Sequence, residues 1–284
     1  MKKILVGIDG SSRGEKALEW AARDVLGQDA KLTLLCVGDP DFAKEAGVTP
    51  EKVEASIEAV LETAKEKVLA RYPDLKVETL AKTGAVIDTI VDEANRHDAV
   101  VLGTHHGSTV SETITGAKGL RVSISTTVPT VVVPFDWEPK DMTSGIMVAV
   151  AADDSSDSAI IWAANHAAAR NLPIDLVSAW GLPTYLTRPA EAMGGGIDPV
   201  GEQFQRRLNA LVDKLRDQYP ALSITGESIE GPTPSATLVE YSKKFDYLVM
   251  GTHSRSTLGR MVFGSITHSV LMNIAVPTII VPQP

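Results

Sequence analysis

Val100-Val101-Leu102-Gly103-Thr104-His105 and Leu248-Val249-Met250-Gly251-Thr252-His253 spell one pattern twice, an apolar strand running into a glycine loop. A second pair follows: Val128-Pro129-Thr130-Val131-Val132-Val133-Pro134 and Val276-Pro277-Thr278-Ile279-Ile280-Val281-Pro282. The spacing agrees, since 251 − 103 and 276 − 128 both give 148. Separated segments that keep one offset mark a duplicated domain, so any site must be sought twice.

Outward from these strands each half has the same order. In the first, residues 4–8 predict a strand and Asp9-Gly10-Ser11-Ser12 a loop. A helix over 14–26 and a strand over 32–37 follow. Val53, Ile57, Val60, Leu61, Ala64 and Val68 recur at three- and four-residue steps, which predicts a helix over 50–71. Strands at 75–80, 99–102 and 130–133 and helices at 85–96 and about 117–127 complete the half. The second half repeats it: Ile146–Val150 answers Ile4–Ile8, and Trp162 stands where Trp20 stands. The Pro- and Asp-containing stretch 135–144 reads as a linker between domains at 1–138 and 143–284. The extra loop 181–199 reads as a surface excursion or a lid.

Strand–helix alternation with short connections predicts two tandem α/β domains. Each is an open parallel five-stranded sheet with helices on both faces, Rossmann-like in layout. Ligands of such sheets collect at the carboxyl ends of the strands, where the strand order reverses. A net charge of −9 argues against nucleic-acid or anionic-membrane partners. No apolar run reaches the roughly 20 residues that span a bilayer. The first strand opens almost at Met1, which argues against a signal peptide. The single cysteine, Cys36, suits a reducing cytoplasm and reads as a core thiol.

Gly251 turns the chain after its strand, and Gly264-Ser265 opens a helix with Thr267 close behind. Backbone amides and a helix N-terminus would cradle an anion there. A plain turn at Gly251 and a plain helix cap at Ser265 remain equally open. With these residues in view, the chain resembles a tandem member of the universal stress protein family, over nearly its whole length. The family's nucleotide-binding branch carries Gly-x2-Gly-x9-Gly-Ser/Thr after its fourth strand. Gly251, Ser254, Gly264 and Ser265 take those places in the second half, with Ser254 replacing a glycine. Gly103, His106, Gly116 and Ala117 take them in the first, where the middle glycine and the final hydroxyl are both lost.

The resemblance implies ATP with magnesium as ligand and a stress-response or signalling role with at most slow hydrolysis, so no enzyme. It further implies that Asp9 holds the nucleoside and that the strand end at Val37 reads adenine. In the second half the ungapped offset puts Ala151 opposite Asp9 and Ala179 opposite Val37, while Asp153 and Asp154 could serve only if the loop shortens. The first half thus keeps the aspartate and the second keeps more of the phosphate loop, which tilts the choice to the second if one site binds. Gly251→Val or Gly264→Val is expected to abolish binding without harming the fold. A nucleotide-free scaffold for a protein partner is the rival reading, favoured by His106, Ala117 and Ala151. An adenylating ligase on the same fold ranks lower, because Asp9-Gly10-Ser11-Ser12 is not its phosphate loop. The repeats would form a pseudo-dimer within the chain, and a homodimer of the chain is compatible with this.

Overall fold

A computed structural model describes residues 1–104, 119–181, 198–252 and 264–283. The chain divides into two units, Met1–Lys140 and Asp141–Pro284. The first contains β1 (Lys2–Gly7), α1 (Ser12–Val25), β2 (Ala30–Gly38), α2 (Pro40–Glu45), α3 (Pro50–Arg71), β3 (Lys76–Thr83) and α4 (Val86–Ala94). It continues with β4 (Ala99–Gly103), α5 (helical over 119–125) and β5 (Thr130–Val133). The strands lie in the order β3-β2-β1-β4-β5, all parallel. The order therefore reverses between β1 and β4. Leu5, Leu35, Val100 and Leu102 pack against Ile90 and Ala94 of α4 and Val122 of α5. Helices α1 and α3 touch each other and cover strands of the same sheet. Each buried Leu, Ile or Val of these strands contributes about 1.5–3 kcal/mol, which is why the strands read as unbroken apolar runs.

The second unit contains β6 (Ile146–Ala149), a 3-10 turn (Asp154–Ser156) and α6 (Asp157–Ala168). After these come β7 (Ile174–Trp180), α7 (Asp198–Gln218), β8 (Ile224–Glu230), α8 (Pro234–Ser242), β9 (Tyr247–Gly251), α9 (Ser265–Leu271) and β10 (Thr278–Val281). Its order is β10-β9-β6-β7-β8, again all parallel. Each unit is thus the open, parallel, five-stranded α/β sheet that the alternation predicts. The excursion at 181–199 falls mostly outside the described residues.

The repeat extends to single hydrogen bonds. The Ile8 N–H donates to the Leu35 carbonyl and the Val150 N–H to the Val177 carbonyl, both at 2.8 Å. Asp98 accepts the Lys3 N–H at 2.7 Å, and Asp246 accepts the Ser144 and Gly145 N–H groups at 2.7 and 3.0 Å. One carboxylate at the start of the fourth strand thereby fixes the start of the first in each unit. Helix α2 is an element the periodicity misses, because none of its residues is buried. Local signals make it: Asp39 caps it by accepting from the Asp41 and Phe42 N–H groups, and Pro40 occupies the first turn. Among the described residues no helix is long and apolar enough to cross a membrane.

Candidate functional site

In the first unit the carboxyl ends of β1, β2 and β4 surround a cavity of about 150 Å³, lined among others by Asp9, Arg13, Val37, Leu102, Gly103 and Gly119. Three residues singled out by sequence, Asp9, Val37 and Gly103, are therefore brought together. The reading of Asp9 as a turn residue is also met. Its Oδ1 accepts the Ser11 N–H at 3.0 Å and the Ser11 hydroxyl. Its Oδ2 lies 3.9 Å from Nη2 of Arg13.

Arg13 is the residue sequence reasoning passed over. It sits in the first turn of α1, where a cation opposes the helix dipole. Its Nε is buried and makes no hydrogen bond. A basic residue four places after Asp9 at a helix start was the available signal. Glycine at 103 follows from close approach, since a Cβ there would meet the Arg13 carbonyl oxygen at 2.4 Å. Gly116, His106 and Ala117 lie outside the described residues.

In the second unit the corresponding strand ends surround a cavity of about 370 Å³, with Ala179, Gly251 and Thr267 in its lining. A Cβ on Gly251 would meet the Ser155 carbonyl oxygen at 2.2 Å, just as one on Gly103 would meet Arg13. This close approach and the β6–β7 bond place Ser155 at the position of Arg13, and hence Ala151 at that of Asp9. Asp153 stands two residues beyond Ala151 in the lining of the same cavity, and its Oδ1 accepts the Ser155 N–H at 3.1 Å and the Ser155 hydroxyl, as Asp9 does from Ser11.

A paired exchange accompanies the lost aspartate. In the first unit Gly14 leaves space beside Asp9, because a Cβ on it would meet Asp9 Oδ1 at 3.1 Å. In the second the equivalent residue is Ser156, whose hydroxyl accepts the Ala151 N–H at 2.8 Å. The serine hydroxyl fills the room that the carboxylate uses in the other unit.

Gly264 is the N-cap residue of α9 and no side chain caps that helix, so Ser265 is its first residue and not its cap. Ser265 is exposed, whereas Thr267 is buried at 2% exposure. Ser254 and His253 lie outside the described residues. Among the described residues no three His, Cys, Asp or Glu side chains gather as a metal site. Cys36 is buried, as the apolar run around it predicts.

A family model described as Universal stress protein family matches residues 1–134 and again 142–282. A universal stress protein of Mycolicibacterium smegmatis is 24% identical over 294 residues, covering 98% of this chain and 96% of that protein. One of Mycobacterium tuberculosis is 26% identical over 295 residues, covering 99% and 97%. The crystal structure of a universal stress protein from Archaeoglobus fulgidus has the same fold. It matches with a TM-score of 0.72 at 15% identity, over 99% of this chain and 96% of that one.

Proposed function

Because this chain belongs to the universal stress protein family, matched twice along its length, we propose that it binds an adenine nucleotide in its first unit. One observation carries the reading: Asp9, Arg13, Val37 and Gly103 line a single cavity, and the buried Nε of Arg13 makes no hydrogen bond. A carboxylate accepts hydrogen bonds from ribose hydroxyls. The main chain at Val37 would read the adenine edge. Arg13 supplies a planar cation suited to phosphate, and its unfavourable place at a helix start is relieved once an anion sits beside it. This moves the preferred site from the second unit, where the phosphate-loop pattern pointed, to the first.

The protein would act by binding and signalling in the cytoplasm, with at most slow hydrolysis. No described residue of the cavity other than Asp9 could act as a general base, and its Oδ1 is engaged by Ser11. Magnesium would arrive on the phosphates and neutralise them, because the described residues offer no ligand set of their own.

Calorimetric titration with Mg-ATP tests the reading. One site per chain is expected, with Asp9→Ala weakening binding at least about tenfold. Arg13→Ala should cost ATP more affinity than it costs adenosine. Two sites per chain, or an Asp9→Ala variant that binds as the wild type does, would sink it. The rival reading, a nucleotide-free scaffold for a protein partner, draws support from Ala151 and Ser156 in the second unit, and absence of binding in both units would favour it.

A further inference from the structure

The two units finish their sheets differently. Strand β3 closes one side of the first sheet and β8 one side of the second, and each is paired on its inner side along its whole length. The Gly84 N–H donates to the Gly38 carbonyl at 3.0 Å, and the Gly231 N–H to the Trp180 carbonyl at 2.9 Å. These bonds fix which residues face inward, because the hydrogen-bonding groups of successive residues alternate sides along a strand. The backbone groups of Val77, Thr79, Ala81 and Thr83 in β3 therefore point outward, as do those of Ile224, Gly226, Ser228 and Glu230 in β8.

The second unit closes its edge with side chains of α7. Gln205 donates through Nε2 to the Gly226 carbonyl at 2.9 Å, and its Oε1 accepts the Ser228 N–H at 2.8 Å. Those are the two bonds that one residue of a further parallel strand would make. Arg216 covers the Ile224 carbonyl, with Nη2 at 2.6 Å and Nε at 3.1 Å. In the first unit Tyr72 answers Tyr219, each donating its N–H to the carbonyl four residues back at 2.8 Å. The same offset puts Glu58 opposite Gln205 and Leu69 opposite Arg216. An ionised carboxylate donates to no carbonyl, and a leucine side chain donates nothing. Neither residue can close β3 as α7 closes β8, and Lys76, Glu78, Thr79, Ala81 and Thr83 of that strand are exposed.

We propose that β3 is an interaction edge at which two copies of the chain pair, strand against antiparallel strand across a two-fold axis. The strand is eight residues long and holds no proline, so two usual ways of blunting an edge are missing. Antiparallel pairing bonds outward residue to outward residue, and charge chooses among the registers that this leaves. With Leu80 opposite Leu80, Val77 faces Thr83 and Thr79 faces Ala81. Glu78 of one copy then lies opposite Lys82 of the other, and Lys76 opposite Gly84. Opposite charges across an antiparallel pair stabilise it and like charges destabilise it. The contact joins Lys31, Glu78, Lys82 and Glu93 in a row of alternating sign, since Glu78 bonds Lys31 at 2.7 Å and Lys82 lies 3.2 Å from Glu93. A shift to Thr79 opposite Thr79 sets Lys76 against Lys82. A shift to Ala81 opposite Ala81 sets Glu78 against Gly84 and loses the ion pair.

Light scattering on the full chain is the test, and at high micromolar concentration it is expected to give twice the chain mass. The double variant Glu58→Gln/Leu69→Arg gives α3 the caps of α7 and leaves the strand untouched. It should raise the dissociation constant of the dimer at least about tenfold. Thr79→Pro removes an outward N–H and no bond to β2, and should act likewise. Register is read by disulfide trapping. Leu80→Cys sets two thiols on one non-hydrogen-bonded pair, with Cα atoms about 4.5 Å apart, which is within disulfide reach. Mild oxidation should therefore link most of that variant into a covalent dimer. Thr79→Cys, which faces Ala81, should link little, and the wild type none, because its one cysteine, Cys36, is buried. A monomer at every concentration, a dimer indifferent to both edge variants, or equal trapping through positions 79 and 80 would each overturn the proposal.

Discussion

The hydroxyl of Ser156 and the missing side chain of Gly14 show how one residue's size decides a neighbour's chemistry. Asp9 can turn its carboxylate toward its own loop because Gly14 stays out of the way, and Ala151 needs no such space. Cys36 shares that corner of the first unit. Burial, and then the negative charge of Asp9, push its thiol up to about 11. Only about one thiol in a thousand is then ionised at pH 8. Iodoacetamide labelling of the native protein should be slow at pH 8 and rise about tenfold per pH unit toward pH 11. A rate that levels off by pH 9 would refute the shift. The folded thiol keeps its proton above the unfolded pKa of about 8.5, so this group withdraws stability as pH climbs from about 9 to 11. Asp9, Val37 and Gly103 were legible because each ends a strand in a repeated pattern. Arg13 was not, because its meaning depends on a buried Nε that only the folded loop reveals.

At the scale of elements, the strands and long helices were readable from apolar spacing, as Ile57, Leu61, Ala64 and Val68 of α3 show by their burial. What spacing could not deliver was the turn between a strand and the helix packed above it. Gly251 is the instructive case. Sequence alone suggested that Gly251→Val would remove binding and spare the fold, but a Cβ there stands 2.2 Å from the Ser155 carbonyl oxygen. Backbone cannot swing aside as a side chain can. Gly251→Ala should therefore destabilise the protein by about 1–3 kcal/mol, and valine by more. Urea unfolding followed by circular dichroism would measure it, and a midpoint within error of the wild type would show that the loop yields. Gly103→Ala should behave alike, because it meets the Arg13 carbonyl oxygen.

At the scale of the whole molecule, duplication was visible in two offsets, and divergence was only half visible. The change from Asp9 to Ala151 could be read from the repeat, whereas the pairing of Trp180 with Phe204 could not. Trp180 lies on a strand aligned at one offset, and Gly201 on a helix aligned at another. Hydrogen exchange should show which unit binds. Mg-ATP is expected to slow exchange at the ends of β1 and β2, near residues 7–14 and 36–38, and to leave 149–156 and 178–181 unchanged. Protection of both sets by Mg-ATP would mean that the units share one specificity. Gly38, which stands where the second unit has Trp180, constrains exchange between the units. Gly38→Trp arriving first would drive an indole into Val53 and Ile57. A tryptophan at 38 therefore needs a compensating change in α3, and the first unit does not take the second's strand residue by a single step.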